Sequence, residues 1–119
     1  MAYGDVGGTN PTLVVTCKAR SEIAKDDTLR LAGNYAVTNL LFDGNEVFGV
    51  ALDGARNGSA VPVCLRGVVQ VGYTGARPVV GDFAVCSSVR GRVRAGRWGK
   101  TGALVLKANT ERQTVDVLL

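Results

Sequence analysis

The residues of this 119-residue chain that could do chemistry are few, and their spacing closes most routes. There is no histidine, so the usual general base near neutral pH is missing. Ser-His and Cys-His nucleophile pairs are excluded on the same ground. Cys17, Cys64 and Cys86 are odd in number, widely spaced and without a CxxC pair. They read as buried, reduced thiols of a protein made in the cytosol. No zinc or calcium ligand spacing is present, so neither a metal nor a cofactor is expected. Asp26 and Asp27 are adjacent, which in a strand would send them to opposite faces; a turn is their expected place. GRWGKTG at 96–102 ends like a phosphate-binding loop, but that motif needs a glycine where Arg94 stands. The segment that follows, ALVLK, reads as a strand, so no helix N-terminus would meet a phosphate. No catalytic residue emerges, and an enzyme is not expected.

Charge is more informative. The net charge is +4, yet residues 83–110 hold Arg90, Arg92, Arg94, Arg97, Lys100 and Lys107 and no acid. That segment carries +6 and leaves −2 (4 − 6) on the rest. A near-neutral body with one cationic region admits an acidic protein surface or nucleic acid as partner. In a strand, Arg90, Arg92 and Arg94 would share one face and Val89 and Val93 the other. Trp98, between Arg97 and Gly99, would sit in a turn. Two readings stay open. One is a solvated strand face with a tryptophan folded back onto the body; the other is a contact surface, since Trp and Arg are enriched in binding hot spots. Only one of the seven aromatic residues lies in the run, a poor supply for stacking bases, which argues against nucleic acid.

The elements that must position these residues are strands. Nineteen valines against one isoleucine and one methionine, with sixteen glycines, describe short strands joined by tight turns. Alternation of period two dominates, and no amphipathic helix of useful length is present. Leu13, Val15 and Cys17 share a face of a first strand; Leu29 and Leu31 mark a second, followed by a turn at Gly33-Asn34. Residues 47–53 and 60–66 form a hairpin around Asn57-Gly58, and Gly67 permits a bend before Val68, Val69 and Val71. Further strands are expected near 82–87, 89–95, 102–107 and 114–119. The single helix candidate is one turn at SEIAKDD, capped by Ser21.

A weak internal repeat runs through the chain. VPVCL at 61–65 resembles VDVLL at 115–119, an offset of 54 (119 − 65). Asp27 before LRL and Asp82 before FAV differ by 55 (82 − 27), and FGVAL at 48–52 resembles TGALVL at 101–106. Two such halves about a pseudo-twofold axis would close a small antiparallel β-barrel or sandwich and hide its edges. The expected organisation is thus a single β domain at 13–119 preceded by a flexible arm at 1–12. Gly4, Gly7, Gly8 and Pro11 prevent a regular element in that arm. It is either a loose terminus or a segment that orders on a partner, with Tyr3 and Pro11 as its contact candidates. No run reaches the roughly 18 apolar residues of a membrane span, and MAYGDVGGTNPT lacks the regions of a secretory signal.

The order of "KARSEIAKDDTLRLAGNYAV", "VFGVALDGARNGSAVPVCLRGVVQV", "YTGARPVVGDFAVCSSVRGRVR" and the closing "VDVLL" resembles the small β-rich capsid cement, or head-decoration, proteins of tailed bacteriophages. The resemblance runs from about Val14 to Leu119. It implies a β body made in the host cytoplasm and bound to the outer surface of the virion head, where it bridges subunits of the major capsid protein. It carries over no catalytic residue. A homo-oligomer, with a trimer at a local threefold favoured, would suit such a lattice. The contact candidates on this reading are Tyr3, Pro11, Arg90, Arg92, Arg94, Arg97 and Trp98. The run VRGRVRAGRWGK is more basic than the resemblance implies. The alternatives are another virion part, such as a tail or fibre-base β-barrel, or a basic nucleic-acid-binding β module.

Overall fold

The computed structural model describes residues 10–96 and 103–119. Those residues contain nine strands and no helix. The strands are β1 (Asn10–Ala19), β2 (Thr28–Gly33), β3 (Ala36–Thr38), β4 (Gly49–Ala51), β5 (Ala60–Thr74), β6 (Phe83–Cys86), β7 (Val93–Ala95), β8 (Ala103–Asn109) and β9 (Thr114–Leu118). The all-β expectation holds. At the expected helical turn, Ile23 instead exchanges backbone hydrogen bonds with Ala55 at 2.8 and 2.9 Å. Burying the Ile23 side chain favours this bridge over a capped turn, and Ser21 is drawn away to bond Thr38 and Asn39.

The pairing order is β1-β3-β2-β4-β5-β7-β6-β8-β9, with β5 also paired to β1 and to β9. Those two extra pairings close the sheet twice. A first ring consists of β1, β3, β2, β4 and the start of β5, and a second of the rest of β5 with β7, β6, β8 and β9. Closure removes the unpaired edges that an open sheet would expose. Each ring contains one parallel pairing, β1 with β3 and β5 with β7, among antiparallel ones.

Equivalent pairings of the two rings recur along the chain, at an offset of 54 (71 − 17) for the β1–β5 and β4–β5 pairings and one or two residues more for β2 and β3. Cys17 faces Val61 as Val71 faces Val115, and Val50 faces Cys64 as Leu104 faces Leu118. The turns correspond too, shifted by a single position. Asp26 (φ 70°) donates to the Ala51 carbonyl as Gly81 (φ 94°) donates to that of Val105.

Alternation along each strand sends one set of side chains into the ring it closes. The first core holds Cys17, Ala19, Ile23, Leu29, Val37, Ala51, Val61 and Val63. Tyr73, Ala84, Val93, Val105, Val115 and Val117 belong to the second. Neighbouring residues of β4 and β5 supply different cores: Ala51 and Val63 the first, Val50 and Cys64 the second. β5 runs unbroken through Gly67 (φ 124°), the position expected to bend. Opposite it, the register of β1 slips between Pro11 and Val14.

A buried polar seam joins the two rings. Asn39 is 1% exposed, and its side-chain amide donates to Asp27 Oδ2 at 2.8 Å and to the Glu22 carbonyl at 2.9 Å. The backbone N–H of Gly91 donates to the Asn39 carbonyl, and the Gly91 carbonyl accepts from Thr28. Buried polar groups satisfied in this way fix the relative placement of what they join.

Candidate functional site

The three thiols are built into the cores rather than offered to solvent. Burial pushes the thiols of Cys17 and Cys64 up, and that of Cys86 to about 11, so each stays protonated at neutral pH and is a poor nucleophile. No group of His, Cys, Asp or Glu suited to a metal ion occurs among the described residues.

The cationic run does not form one strand face. β7 begins only at Val93, and the chain turns at Val89–Arg92, with the Arg92 N–H donating to the Val89 carbonyl and Val89 N–H to Ser87 Oγ. Gly91 takes φ 69° there, and a Cβ on it would stand 2.5 Å from Asp27 Oδ1. Arg90 and Arg92 thus lie exposed on the β6–β7 turn, with the Arg92 guanidinium beside Gly72. Arg94 sits apart, in β7, and donates from Nε to Asp43 Oδ1 at 2.8 Å. Its guanidinium holds the Asp43 carboxyl below the usual carboxylate range. Pro11 is exposed in β1, facing Gly67. Residues 10–12 of the expected arm belong to β1; Tyr3, Arg97 and Trp98 lie outside the described residues.

The Asp43–Arg94 pair helps hold the β3–β4 connection across an end of the second ring. Gly44 N–H donates to the Cys86 carbonyl at 2.9 Å, Cys86 N–H to the Asn45 carbonyl at 2.8 Å, and Val47 packs on the second core. At the near end of the same connection, the Arg30 guanidinium lies 4.3 Å from the centre of the Phe42 ring, an attractive cation–π placement. Phe42 and Leu40 remain exposed beside it.

Among the described residues, no connection crosses the first ring in this way. An open groove of about 620 Å³ is lined by Val15, Cys17, Leu31, Tyr35, Phe48 and Leu65, with Gly33 and Asn34 at the hairpin tip. Tyr35 is 72% exposed and holds φ 49°, a left-handed conformation that costs a bulky residue energy. Leu31, from the same strand as the buried Leu29, is 51% exposed. A second apolar feature is the β5–β6 turn, where Val79 and Val80 are both 62% exposed. The equivalent turn of the first ring places Ala24 and Lys25 there, so the turn itself does not require valine.

Sequence reasoning found the basic residues and missed these apolar ones. Leu31 reads as one more inward position of an alternating strand, and G-N-Y reads as an ordinary turn. The available signal was Tyr35 itself, an aromatic residue following a Gly-Asn pair.

No family model and no curated protein sequence matches the chain. Among solved structures, the fold is similar to the N base of the head fibre protein gp8.5 of bacteriophage phi29. The TM-score is 0.67 at 18% identity, over 90% of this chain and 92% of that one. That likeness shows a shared fold.

Proposed function

We propose that the protein is a structural component of a bacteriophage virion, seated by its β body on the outside of the head. The observation that carries this reading is the correspondence over nine-tenths of the chain with the base of a phage head fibre. The cement-like order of the sequence segments supports the same location. The surface features fit a binding role: exposed apolar positions on two connections, a groove, and arginines exposed on the β6–β7 turn. In the decoration reading, many copies bridge major capsid protein subunits. Binding only the finished shell then stabilises it against disassembly by mass action. The fibre-base reading is favoured by the identity of the structural neighbour, and the same body would then anchor a projection. Both readings suit a homo-oligomer, a trimer foremost, because a symmetric shell offers symmetric sites.

The test is direct. Purified protein is added to heads of the parent phage made without it, and the particles are reconstructed. Extra density on the outer surface, fitted by the two rings, is expected. Smooth heads, or density only on the tail, would overturn the assignment. Retardation of random duplex DNA with steep salt dependence would favour a nucleic-acid module instead.

A further inference from the structure

We infer that the outer edge of β1, from Thr12 to Thr16, is a self-pairing surface. A second copy of the chain adds its own β1 there, antiparallel and about a twofold axis. The inference rests on the virion reading only for what crowds the copies together; the chemistry comes from the edge itself.

For most of its length β1 is bonded on one side. Asn10–Lys18 pair with β5, whereas β3 meets only Lys18 and Ala19. Lys18 N–H donates to the Tyr35 carbonyl on the β3 side, and Ala19 N–H to the Ser59 carbonyl on the β5 side. Backbone groups alternate sides along an antiparallel strand, so Val14 and Thr16 turn theirs the same way as Lys18. Among the described residues no strand meets them there. Pro62, opposite Thr16 on β5, agrees with this, since it has no N–H to exchange. Thr12, Leu13, Val14 and Thr16 are exposed, Leu13 at 48% and Val14 at 45%. Edge strands that stay solitary commonly carry charge or proline. Thr12–Cys17 has neither; Pro11 and Lys18 stand at its two ends.

The second ring shows that the fold accepts a strand at this edge. In the repeat, Asn10–Val14 corresponds to Cys64–Val68 of β5, displaced by 54 (68 − 14). That edge is occupied. β1 itself lies on it, antiparallel, on the side that also carries β7, the equivalent of β3. The same edge of β1 is thus built to a pattern whose other instance is filled.

Sequence names the occupant. T-L-V-V-T at 12–16 reads nearly the same in both directions. Antiparallel pairing centred on Val14 sets it against Val14 of the second copy, Thr12 against Thr16, and Leu13 against Val15. Thr–Thr and branched apolar pairs are favourable cross-strand neighbours. Lys18 falls opposite Asn10, so no like charges meet. Such reciprocity is what a closed twofold contact requires. Edges this short bury far less than the roughly 800 Å² per partner of a stable dimer. The contact is therefore weak in free solution and takes hold where copies are concentrated, as on one particle.

The test is sedimentation of the full chain across concentrations, with amide resonances followed alongside. The wild type should dimerise reversibly with a dissociation constant of roughly 0.1–1 mM, shifting the amides of Val14 and Thr16. Val14→Lys and Val14→Glu should each stay monomeric, because like charges would face each other across the axis. An equimolar mixture of the two should associate about tenfold more tightly than either alone, and lose that gain at high salt. Unchanged amides in β8 and β9 would show that the variants are folded. A wild type that stays monomeric at millimolar concentration would overturn the inference. So would a single charged variant that self-associates like the wild type, or a mixture no tighter than its components. Head binding is scored separately. Self-association that needs Val14, without head binding, sinks the virion reading and spares the edge. Full head binding by a protein whose association ignores Val14 does the reverse.

Discussion

The two rings use one pairing scheme and fill it differently. Ala19 of the first corresponds to Tyr73 of the second, and Leu29 to Ala84; all four are nearly fully buried. The bulk in one ring comes from β2, in the other from β5. Gly49 and Ala103 are a third such pair. Outside the cores the divergence is larger: Ala24-Lys25 against Val79-Val80, Leu31 against the buried Cys86, Tyr35 against the arginines of the β6–β7 turn. Backbone pairing thus tolerates exchange of core volume, as packed interiors do when total volume is kept. The exposed differences are the ones the fold does not demand.

The largest expected effect tests the exchanged bulk. Leu29→Ala gives the first ring the second ring's residue without its tyrosine, and should cost about 2–5 kcal/mol through lost burial and a cavity. Urea denaturation measures it, and a cost below about 1 kcal/mol would mean the cores are not filled as described. Next is the close approach at β4. A Cβ on Gly49 would stand 2.5 Å from Val63 Cγ1 and 2.9 Å from the Cys64 carbonyl, so Gly49→Ala should cost about 1–3 kcal/mol. The mirror change, Ala103→Gly, should cost about 0.5–1 kcal/mol through backbone entropy. Similar values for the two would erase the asymmetry.

Smaller still, and opposite in sign, is Tyr35→Gly. Releasing the left-handed strain should raise stability by up to about 1 kcal/mol, seen as a higher Tm. A loss of stability would show that Tyr35 serves the fold. The smallest effect is at Asp43–Arg94, a surface pair worth little at neutral pH. The lowered Asp43 pKa makes its contribution present above the unfolded value and lost as pH falls through the folded one. Arg94→Gln should therefore flatten the acid limb of a Tm-against-pH curve below about pH 4 and hardly alter the rest.

What the sequence disclosed follows the reach of its signals. Valines at alternate positions and the Asn57-Gly58 turn are local, and they located the β4–β5 hairpin and the later strands. The parallel β1–β3 and β5–β7 pairings depend on residues brought together from a distance, so no local pattern announced them. The arginines show the limit most clearly. Alternation placed Arg90, Arg92 and Arg94 on one face, but the packing of Gly91 against Asp27, far earlier in the chain, breaks the strand. The groove was illegible for a related reason. Leu31 alternates like a core residue, yet it is 51% exposed, and alternation alone does not say which positions of a strand a neighbour covers.

The strand common to both rings also bears on how the chain folds. Val14 meets Cys64 and Val68 meets Leu118, so each closure joins positions well separated in the chain. Closures of that kind are entropically slow. Once β1 has captured the start of β5, however, the rest of the strand is already extended and presents its edge to β9. The second ring then assembles on a template instead of searching for one, and the slow event is met once for two closures. Refolding should accordingly follow a single dominant rate set by β1 and β5, with the contacts of β9 forming after the barrier.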